Sequence, residues 1–548
     1  GVASSSTSPA VPSGTAAFPF RGSIDEVAIY GHPLTEEEVR RHYAAREQAE
    51  NRLIRVTLPS GRVWASNTYD ERTDRLRTHT DRHGGTWTIS DIAHYPQWGE
   101  AEVTVTDPHD GKLVFLYDAW RGYRLRGETD QLGHTAWFEY DQAGFLNKII
   151  DRNDIANEIY QDKRGNILGR QYCRARGECA IEFWTYYLNE ADKFDPRNDK
   201  VIAYRDGRSR DGGDNTYRTT WEYNSFGELI KETTPATSDA PSGRSTTYVY
   251  TDGTEPAVGG GTTPAGLVKT KTAPGGATWR YRYTAAGDLA EQVEPEGLTT
   301  TYTYDAIGRR VTETRLVDDT PVITGFTYDG LGRLTSRTEP AVRNPVTGVT
   351  HTAKVSYEYD ADGNRTSETV TDLTGGDEPR TTTYTYDAFG RLITVTDPEG
   401  GVTRQEWNHR GWVIRTVDAR GAVIDQAYSK RGEPTIRTLK GWTGSPVAPQ
   451  PATDVVLESR AYDPGGRLTA RVDAMGRKTV YAYWMDNRLR TQTADDARLN
   501  GSSTPRDVVL AELEYDPAGN TVVEVTGGGT VRTEYAYDPA GLLTSQVL

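Results

Sequence analysis

Aspartate is the residue type best placed for chemistry in this chain, because it recurs directly after tyrosine. Strict Tyr-Asp-x-x-Gly copies begin at Tyr140, Tyr304, Tyr328, Tyr359, Tyr386, Tyr462, Tyr515 and Tyr537. Clustered carboxylates can bind metals or act as general acid and base. An aspartate at the start of a turn, however, is favoured for bonding to nearby backbone N–H groups. We therefore interpret these residues as structural and predict neither a catalytic site nor a metal site.

Other candidate sites have spacings that do not fit known chemistry. His79 and His83 lie four residues apart, but no His-Glu-x-x-His motif of a zinc protease occurs. Residues 206–214 loosely resemble an acidic calcium loop without the spacing or terminal Glu of an EF-hand, so we favour a solvated loop over a calcium site. Phosphate loops and nucleophile elbows are also missing from the sequence. The prediction is a protein that is not an enzyme and needs no cofactor.

The two cysteines, Cys173 and Cys179, bracket five residues between two aromatic runs. This spacing suits a hairpin loop closed by a disulfide, and two free buried thiols are the alternative. We predict the disulfide, which implies an oxidising compartment.

A repeat of 21 residues positions the Tyr-Asp turns: this step separates Tyr283 from Tyr304, Tyr386 from Trp407 and Trp407 from Tyr428. Such a unit holds two strands of about seven residues and two turns. Tyr302 and Tyr304 share one strand face, which predicts a ladder of aromatic rings, and Gly308 supplies the positive φ of a short hairpin. The predicted turn residues are Tyr304, Asp305, Gly308, Tyr328, Asp329, Gly332, Tyr386, Asp387, Gly390, Tyr462, Asp463 and Gly466.

Composition and charge exclude several classes of partner. The chain has 55 Gly, 32 Tyr and 12 Trp but only 10 Phe, which favours wide, half-solvated sheet surfaces over one dense apolar core. A net charge of −15 argues against a nucleic-acid partner. No run of 18 apolar residues occurs, so we predict no membrane span.

Four regions follow one another along the chain. Residues 1–17 are rich in Ser, Thr, Ala, Pro and Gly and predict a flexible linker. Residues 18–50 predict a strand and one short helix at 35–49, capped by Thr35 and Glu38. A degenerate repeat region covers 51–260 and a regular one covers 261–548.

The repeat resembles the tyrosine-aspartate (YD) repeat of bacterial Rhs proteins, of insecticidal toxin complexes and of animal teneurins. The resemblance covers about nine tenths of the chain. Residues 18–50 are similar to the last strand and helix of laminin-G-like (concanavalin-type) domains, through Gly-x-Ile-Asp-Glu-Val-x-Ile-Tyr followed by Leu-Thr-x-Glu-Glu. The resemblance implies an all-β fold in which hairpins form a spiralling antiparallel sheet and a hollow shell. Because residues 51–260 are degenerate, we expect an open or incomplete shell.

In the bacterial relatives such a shell encloses a C-terminal polymorphic toxin and ends in a core that carries an aspartyl autoprotease. The Asp-Pro-x-Gly sequences at Asp516 and Asp538 belong to ordinary repeats, so we expect core and toxin to lie outside this chain. The first functional hypothesis is a structural shell, secreted or at the cell surface, that encloses or presents its own C-terminal toxin or other cargo. The alternative is an extracellular adhesion or carbohydrate-binding module that binds glycans or a cell-surface protein.

Overall fold

The computed structural model describes residues 52–318, 320–445, 447–498 and 504–548. These ranges contain strands and turns, and they contain no helix. The predicted linker at 1–17, the laminin-G-like segment at 18–50 and its helix at 35–49 lie outside the described residues. Within the ranges themselves, the all-β prediction is confirmed.

The strands are, in chain order, β1 Arg55–Thr57, β2 Val63–Tyr69, β3 Leu76–Thr80, β4 Thr86–Ile89, β5 Ala93–Tyr95, β6 Glu100–Thr106, β7 Lys112–Asp118, β8 Arg124–Thr129, β9 Thr135–Tyr140, β10 Leu146–Ile150, β11 Ala156–Gln161, β12 Ile167–Ala175, β13 Glu178–Tyr186, β14 Val201–Arg205, β15 Arg218–Tyr223, β16 Leu229–Thr233, β17 Ser245–Tyr250, β18 Val268–Thr272, β19 Thr278–Tyr283, β20 Leu289–Val293, β21 Thr299–Tyr304, β22 Arg310–Val317, β23 Thr320–Tyr328, β24 Leu334–Thr338, β25 Val342–Arg343, β26 Thr350–His351, β27 Ala353–Tyr359, β28 Arg365–Asp372, β29 Arg380–Tyr386, β30 Leu392–Thr396, β31 Val402–Trp407, β32 Val413–Val417, β33 Val423–Tyr428, β34 Pro434–Ser445, β35 Ala448–Tyr462, β36 Leu468–Asp473, β37 Lys478–Tyr483, β38 Leu489–Ala497, β39 Arg506–Tyr515, β40 Thr521–Thr526, β41 Val531–Tyr537 and β42 Leu543–Val547.

Forty of these strands form one antiparallel sheet. Each strand pairs with the next one along the chain, except that β4 pairs with β6, β24 pairs with β27, and β5 lies beside β6. Strands β25 and β26 form a separate two-stranded hairpin. The sheet runs without a break from the degenerate into the regular repeats, because β17 pairs with β18.

Strand β21 shows why the repeat sequence forms this sheet. Its Thr-Thr-Thr-Tyr-Thr-Tyr run consists of β-branched and aromatic residues, which favour strands. Across the hairpin, the hydroxyls of Thr303 and Thr312 are hydrogen-bonded at 2.6 Å. The register then shifts between Thr303 and Tyr304, where the chain enters the turn.

Successive turns of an antiparallel sheet lie on alternate edges. We call the edge that carries the turns after the Tyr-ending strands, such as 305–309 and 387–391, the tyrosine edge. The opposite edge, which carries turns such as 81–85, 107–111 and 397–401, is the aspartate edge. The hydrogen bonds that close these turns follow one pattern on both edges, for example from Asp305 N–H to the Arg309 carbonyl (2.9 Å) and from Asp107 N–H to the Gly111 carbonyl (2.8 Å).

The sheet coils back onto itself after 23 strands. The aspartate-edge turn between β6 and β7 contacts the tyrosine-edge turn between β31 and β32 through Asp107 and Arg410. The two turns are separated by 23 strands of the sheet, which are β7 to β31 without β25 and β26. The same interval separates the turns of Asp130 and Arg431, which also meet. Because successive turns alternate between the two edges, turns separated by an odd number of strands lie on opposite edges. The aspartate edge of one coil therefore meets the tyrosine edge of the next. We call β1–β24 the first coil and β27–β42 the second coil.

The wall made by this sheet has no solid core. Among the described residues, no large side chain is fully buried, and most of the buried apolar residues are alanines. Both faces of the sheet are therefore extensively accessible.

Candidate functional site at the repeat turns and the coil junction

In the Tyr-Asp turns, the carboxylate of the aspartate is engaged in hydrogen bonds within its own turn. One carboxylate oxygen of Asp305 accepts hydrogen bonds from the N–H groups of Ile307 (3.1 Å) and Arg309 (3.0 Å), and the other accepts from Arg309 Nε (2.6 Å). The backbone bond from Arg309, with the guanidinium beside it, holds the pKa of the Asp305 carboxyl below its usual range. Gly308 closes the turn with φ 81°. A carboxylate engaged in this way is a structural group.

The same geometry recurs in the other turns. Asp329, Asp387 and Asp463 accept from the Nε of Arg333 (2.7 Å), Arg391 (2.6 Å) and Arg467 (2.6 Å) respectively. The corresponding glycines, Gly332, Gly390 and Gly466, have φ values of 82°, 75° and 89°. One local arrangement therefore holds turns that are far apart in the chain.

The tyrosine of the motif ties each repeat to the preceding one. Its hydroxyl donates to a backbone carbonyl at the start of the preceding strand in the sheet, as Tyr304 of β21 does to Leu289 of β20 (2.7 Å). Equivalent bonds run from Tyr328 to Arg310 (2.8 Å), Tyr386 to Arg365 (2.7 Å) and Tyr462 to Pro434 (2.9 Å). Where the motif has tryptophan, Trp407 Nε1 donates to the Leu392 carbonyl at 2.8 Å. The position requires a donor on a long ring, which explains tyrosine or tryptophan there.

An arginine that the sequence reasoning overlooked links each turn to the next. Arg309 donates through Nη1 to the Asp329 carbonyl (2.9 Å), and its guanidinium lies 4.8 Å from the ring centre of Tyr328. Arg333 makes the same pair of contacts with the Asp360 carbonyl (2.8 Å) and the Tyr359 ring (4.8 Å). The signal that could have found these residues is the Gly-Arg dipeptide that ends four of the motifs, at Arg309, Arg333, Arg391 and Arg467.

Guanidinium groups also enter the predicted ladder of aromatic rings. Arg365 lies 5.7 Å from the ring of Tyr357 and 4.8 Å from that of Tyr384. Cations prefer the negative face of an aromatic ring. Arginine is therefore part of the aromatic rows at this place.

The residue before the turn glycine makes the contact between coils. In the second coil this contact position holds Asp362, Phe389, Arg410, Arg431 and Gly465. Arg62 of the first coil pairs with Asp362 at 2.9 Å, and Arg431 pairs with Asp130 at 2.8 Å. Gly465 N–H donates to Asn153 Oδ1 at 2.9 Å.

The pair formed by Asp107 and Arg410 is the most deeply buried of these contacts. The side chains are 0% and 5% exposed. Burial by itself would raise the pKa of the Asp107 carboxyl, but Arg410 and the N–H groups of His109 and Gly111 together hold it below its usual range. The carboxylate therefore remains charged inside the junction.

The cysteine hairpin also lies in the junction. Cys173 and Cys179 form a disulfide at the tip of β12 and β13. Beside it, the Arg174 carbonyl accepts from Met485 N–H of the second coil at 2.9 Å, and the Tyr172 hydroxyl donates to the Pro517 carbonyl. Burial there raises the pKa of Tyr172 to about 12. The disulfide closes a hairpin that contacts two turns of the next coil.

The remaining candidate groups have other partners. In the 206–214 loop, Asp206 pairs with Arg208 at 2.7 Å and Asp214 with Arg210 at 3.2 Å. His79 Nδ1 lies 2.8 Å from Asn67 Oδ1.

The structure also brings together two groups that the sequence did not single out. They are His351, Asp372 and Asp377, and Asp495, Asp496 and Asp507, and each group has ligand atoms within 4.8 Å of one another. His351 Nδ1 is hydrogen-bonded to Asp372 at 2.7 Å. Within the described ranges there is no helix with the length and apolarity of a membrane span.

Three known proteins are similar to parts of this chain. Double-stranded DNA deaminase toxin A of Burkholderia cenocepacia (strain H111) is 25% identical over 191 residues, which are 30% of this chain and 13% of that protein. The solved TcdB2-TccC3 complex without its hypervariable C-terminal region matches 90% of this chain and 31% of its own, at 13% identity and TM-score 0.49. The Photorhabdus luminescens Tc holotoxin pore matches 89% of this chain and 30% of its own, at 15% identity and TM-score 0.26. The chain thus spans less than a third of each of these relatives.

The RHS repeat family matches residues 263–297, 283–321, 380–402 and 515–548. The matched segments lie in both coils and contain Tyr-Asp turns whose geometry is described above, for example at Tyr304 and Tyr386. In these segments the chain carries RHS repeats.

Proposed function

We propose that this chain is the wall of a hollow shell that encloses or presents a toxin cargo lying C-terminal to the repeats. The observation that carries the proposal is the return of the sheet after 23 strands, marked by the contact between Asp107 and Arg410. Neighbouring strands lie about 4.8 Å apart, so one revolution measures about 110 Å and a circle of that length is about 35 Å across. Side chains reduce the inner width to about 25 Å, which can hold polypeptide.

The role is structural and not enzymatic. The recurrent carboxylates of the repeat, such as Asp305 and Asp329, bond their own turns and so have no free oxygen to aim at a substrate. The cargo assignment rests on one similar protein, a double-stranded DNA deaminase toxin. Secretion or display at the cell surface agrees with the disulfide, because disulfides persist in oxidising compartments.

Limited proteolysis of the longest polypeptide that the gene encodes tests this proposal. The segment that follows the repeats should resist a protease concentration that digests the same segment made alone. Arg410→Met, which breaks the buried pair between coils, should remove part of this protection. Equal digestion of the segment with and without the repeats would show that the wall encloses nothing.

The second candidate function is carbohydrate binding, and one cluster of exposed rings favours it. Trp98 and Trp120 are both largely exposed, and Tyr95 lies beside Trp98 with ring centres 5.8 Å apart. Exposed aromatic faces can stack on sugar rings. A glycan array that compares the protein with Trp98→Ala and Trp120→Ala tests this function, and no difference between them would reject it.

A further inference from the structure

Two aspartate-edge turns place a histidine at the junction between coils. His83 in the turn 81–85 and His109 in the turn 107–111 occupy the same position, two residues after the aspartate. In both turns the histidine N–H donates to that aspartate at 2.8 Å. The surroundings of the two rings differ. His109 is exposed and stacks on Trp412 with ring centres 6.5 Å apart, whereas His83 is only partly exposed.

The His83 ring lies between the two coils. Its atoms are 2.8–2.9 Å from the point where a Cβ would stand at Gly411 of the second coil. Beside it, the Phe389 ring of the same coil lies directly against Gly84. Separation of the coils would therefore expose the His83 ring to water.

Neither ring nitrogen of His83 is placed to take up a second proton while the junction is closed. Nδ1 is buried and has no hydrogen-bond partner among the described residues. Nε2 lies 3.2 Å from Arg82 Nε, which can only donate, so Nε2 accepts and the hydrogen of the neutral ring is assigned to Nδ1. A proton on Nε2 would break this bond and place an imidazolium against a guanidinium.

Two cations and two carboxylates lie around the His83 ring. They are Asp81 and Arg82 of its own turn and Asp387 and Arg391 of the second coil. Burial lowers the pKa of the His83 imidazole, as do Arg82 and Arg391, and together they outweigh the carboxylates. Both carboxylates are already engaged, since Asp81 accepts from the His83 N–H and Asp387 accepts from Arg391 Nε at 2.6 Å.

The other titratable groups of the adjoining turns, 107–111 and 408–412, do not offer His83 a counter-charge. Asp107 is taken by Arg410 in the buried pair described above. The remaining groups, His109, Asp110 and His409, are exposed to solvent.

We propose that the junction between coils is a pH-sensitive contact, which mild acidification weakens because His83 takes up a proton only when the coils separate. In the open junction the ring is in water and titrates near the ordinary histidine pKa of about 6.5. The contribution of neutral His83 is therefore complete well above this pH and is lost as the pH falls below it. Loosening of a cargo-filled wall in an acidic compartment would follow, and that consequence alone rests on the function proposed above.

Hydrogen–deuterium exchange of the unmodified chain between about pH 7.5 and 5.5 tests the proposal, with protection factors corrected for the intrinsic exchange rate at each pH. Protection of the turns 81–85 and 408–412 should change little above about pH 7 and should fall by up to about tenfold at about pH 5.5, which is the limit for one proton. Protection that does not change with pH would overturn the proposal, whether or not the wall encloses a cargo.

Two variants assign the pH dependence to one ring. His83→Gln cannot be protonated in this range and keeps an acceptor for Arg82, so its protection should stay constant. His109→Gln is the matched control, because it changes the same turn position at an exposed ring, and it should retain the fall. A fall that persists in His83→Gln, or that disappears in His109→Gln, would overturn the proposal. Circular dichroism reports whether each variant keeps its strands, and the series on the unmodified chain decides if His83→Gln does not fold.

Discussion

The buried pair of Asp107 and Arg410 allows the junction between coils to be tested by one substitution. Arg410→Met leaves Asp107 buried with its two backbone donors but without its counter-charge. Removing one partner of a buried ion pair costs about 3–5 kcal/mol. The change should therefore open the junction around 107–111 and 408–412.

Hydrogen–deuterium exchange of these two turns measures the effect. At about 1.4 kcal/mol per tenfold, the expected loss of protection is two to three and a half orders of magnitude. Arg477→Met is the control, because Arg477 pairs with Asp473 of its own turn and is 79% exposed. Its removal should change exchange little, since exposed ion pairs contribute little.

A second variant separates the ion pair from the other contacts of Arg410, which are with the Lys430 carbonyl and the Trp412 ring. Asp107→Asn keeps the oxygen that accepts from His109 and Gly111 but removes the charge. If the pair accounts for the loss, Asp107→Asn combined with Arg410→Met should cost less than the sum of the two single changes. Additive effects, or equal effects of Arg410→Met and Arg477→Met, would refute a buried junction between coils.

Three further predictions concern the turn and the junction. Tyr304→Phe removes the hydrogen bond to the previous repeat and should lower the free energy of unfolding by about 0.5–1.5 kcal/mol. The control is Tyr302→Phe, which should lower it less, because the Tyr302 hydroxyl has no hydrogen bond among the described residues. Equal losses in urea titrations would contradict the role given to Tyr304. Gly332 has φ 82°, so Gly332→Val should lower the free energy of unfolding by about 1–3 kcal/mol. Gly330→Val in the same turn should lower it less, because Gly330 has no positive φ. Thermal denaturation that ranks the two variants in the reverse order would reject the turn geometry. Burial raises the pKa of Tyr172 to about 12. The contribution of Tyr172 to stability is therefore complete below its ordinary pKa near 10 and is lost as the pH rises towards 12. The difference in free energy of unfolding between the wild type and Tyr172→Phe should shrink over this interval, and a constant difference would contradict this prediction.

The local parts of this structure could be predicted because the turn chemistry is contained within a few residues. The Asp305 carboxylate accepts backbone hydrogen bonds and Gly308 adopts a positive φ, as Asp and Gly do in short turns generally. Five residues of sequence are therefore enough to predict the turn. The arginine that follows, Arg309, was missed because its second partner, the Asp329 carbonyl, belongs to the next repeat.

The junction between coils could not be predicted from the period. Asp107 and Arg410 lie 303 residues apart, and nothing near either residue indicates the other. Their meeting depends on the number of strands in a revolution, which is set by the accumulated twist of the whole sheet. The contact position also changes its chemistry from Asp362 to Phe389 to Arg410, so it resembles a variable loop residue in the sequence. Likewise, the spacing of Cys173 and Cys179 predicts a bridged hairpin but not its place beneath the second coil.

An electron-microscopy map of the purified chain tests the coiled wall most directly. We expect two stacked coils around an open centre, about 35 Å across between backbones, with 23 strands in a revolution and the Asp107 turn beneath the Arg410 turn. Separate compact β-domains with solid centres, or a ribbon whose coils do not touch, would contradict the account.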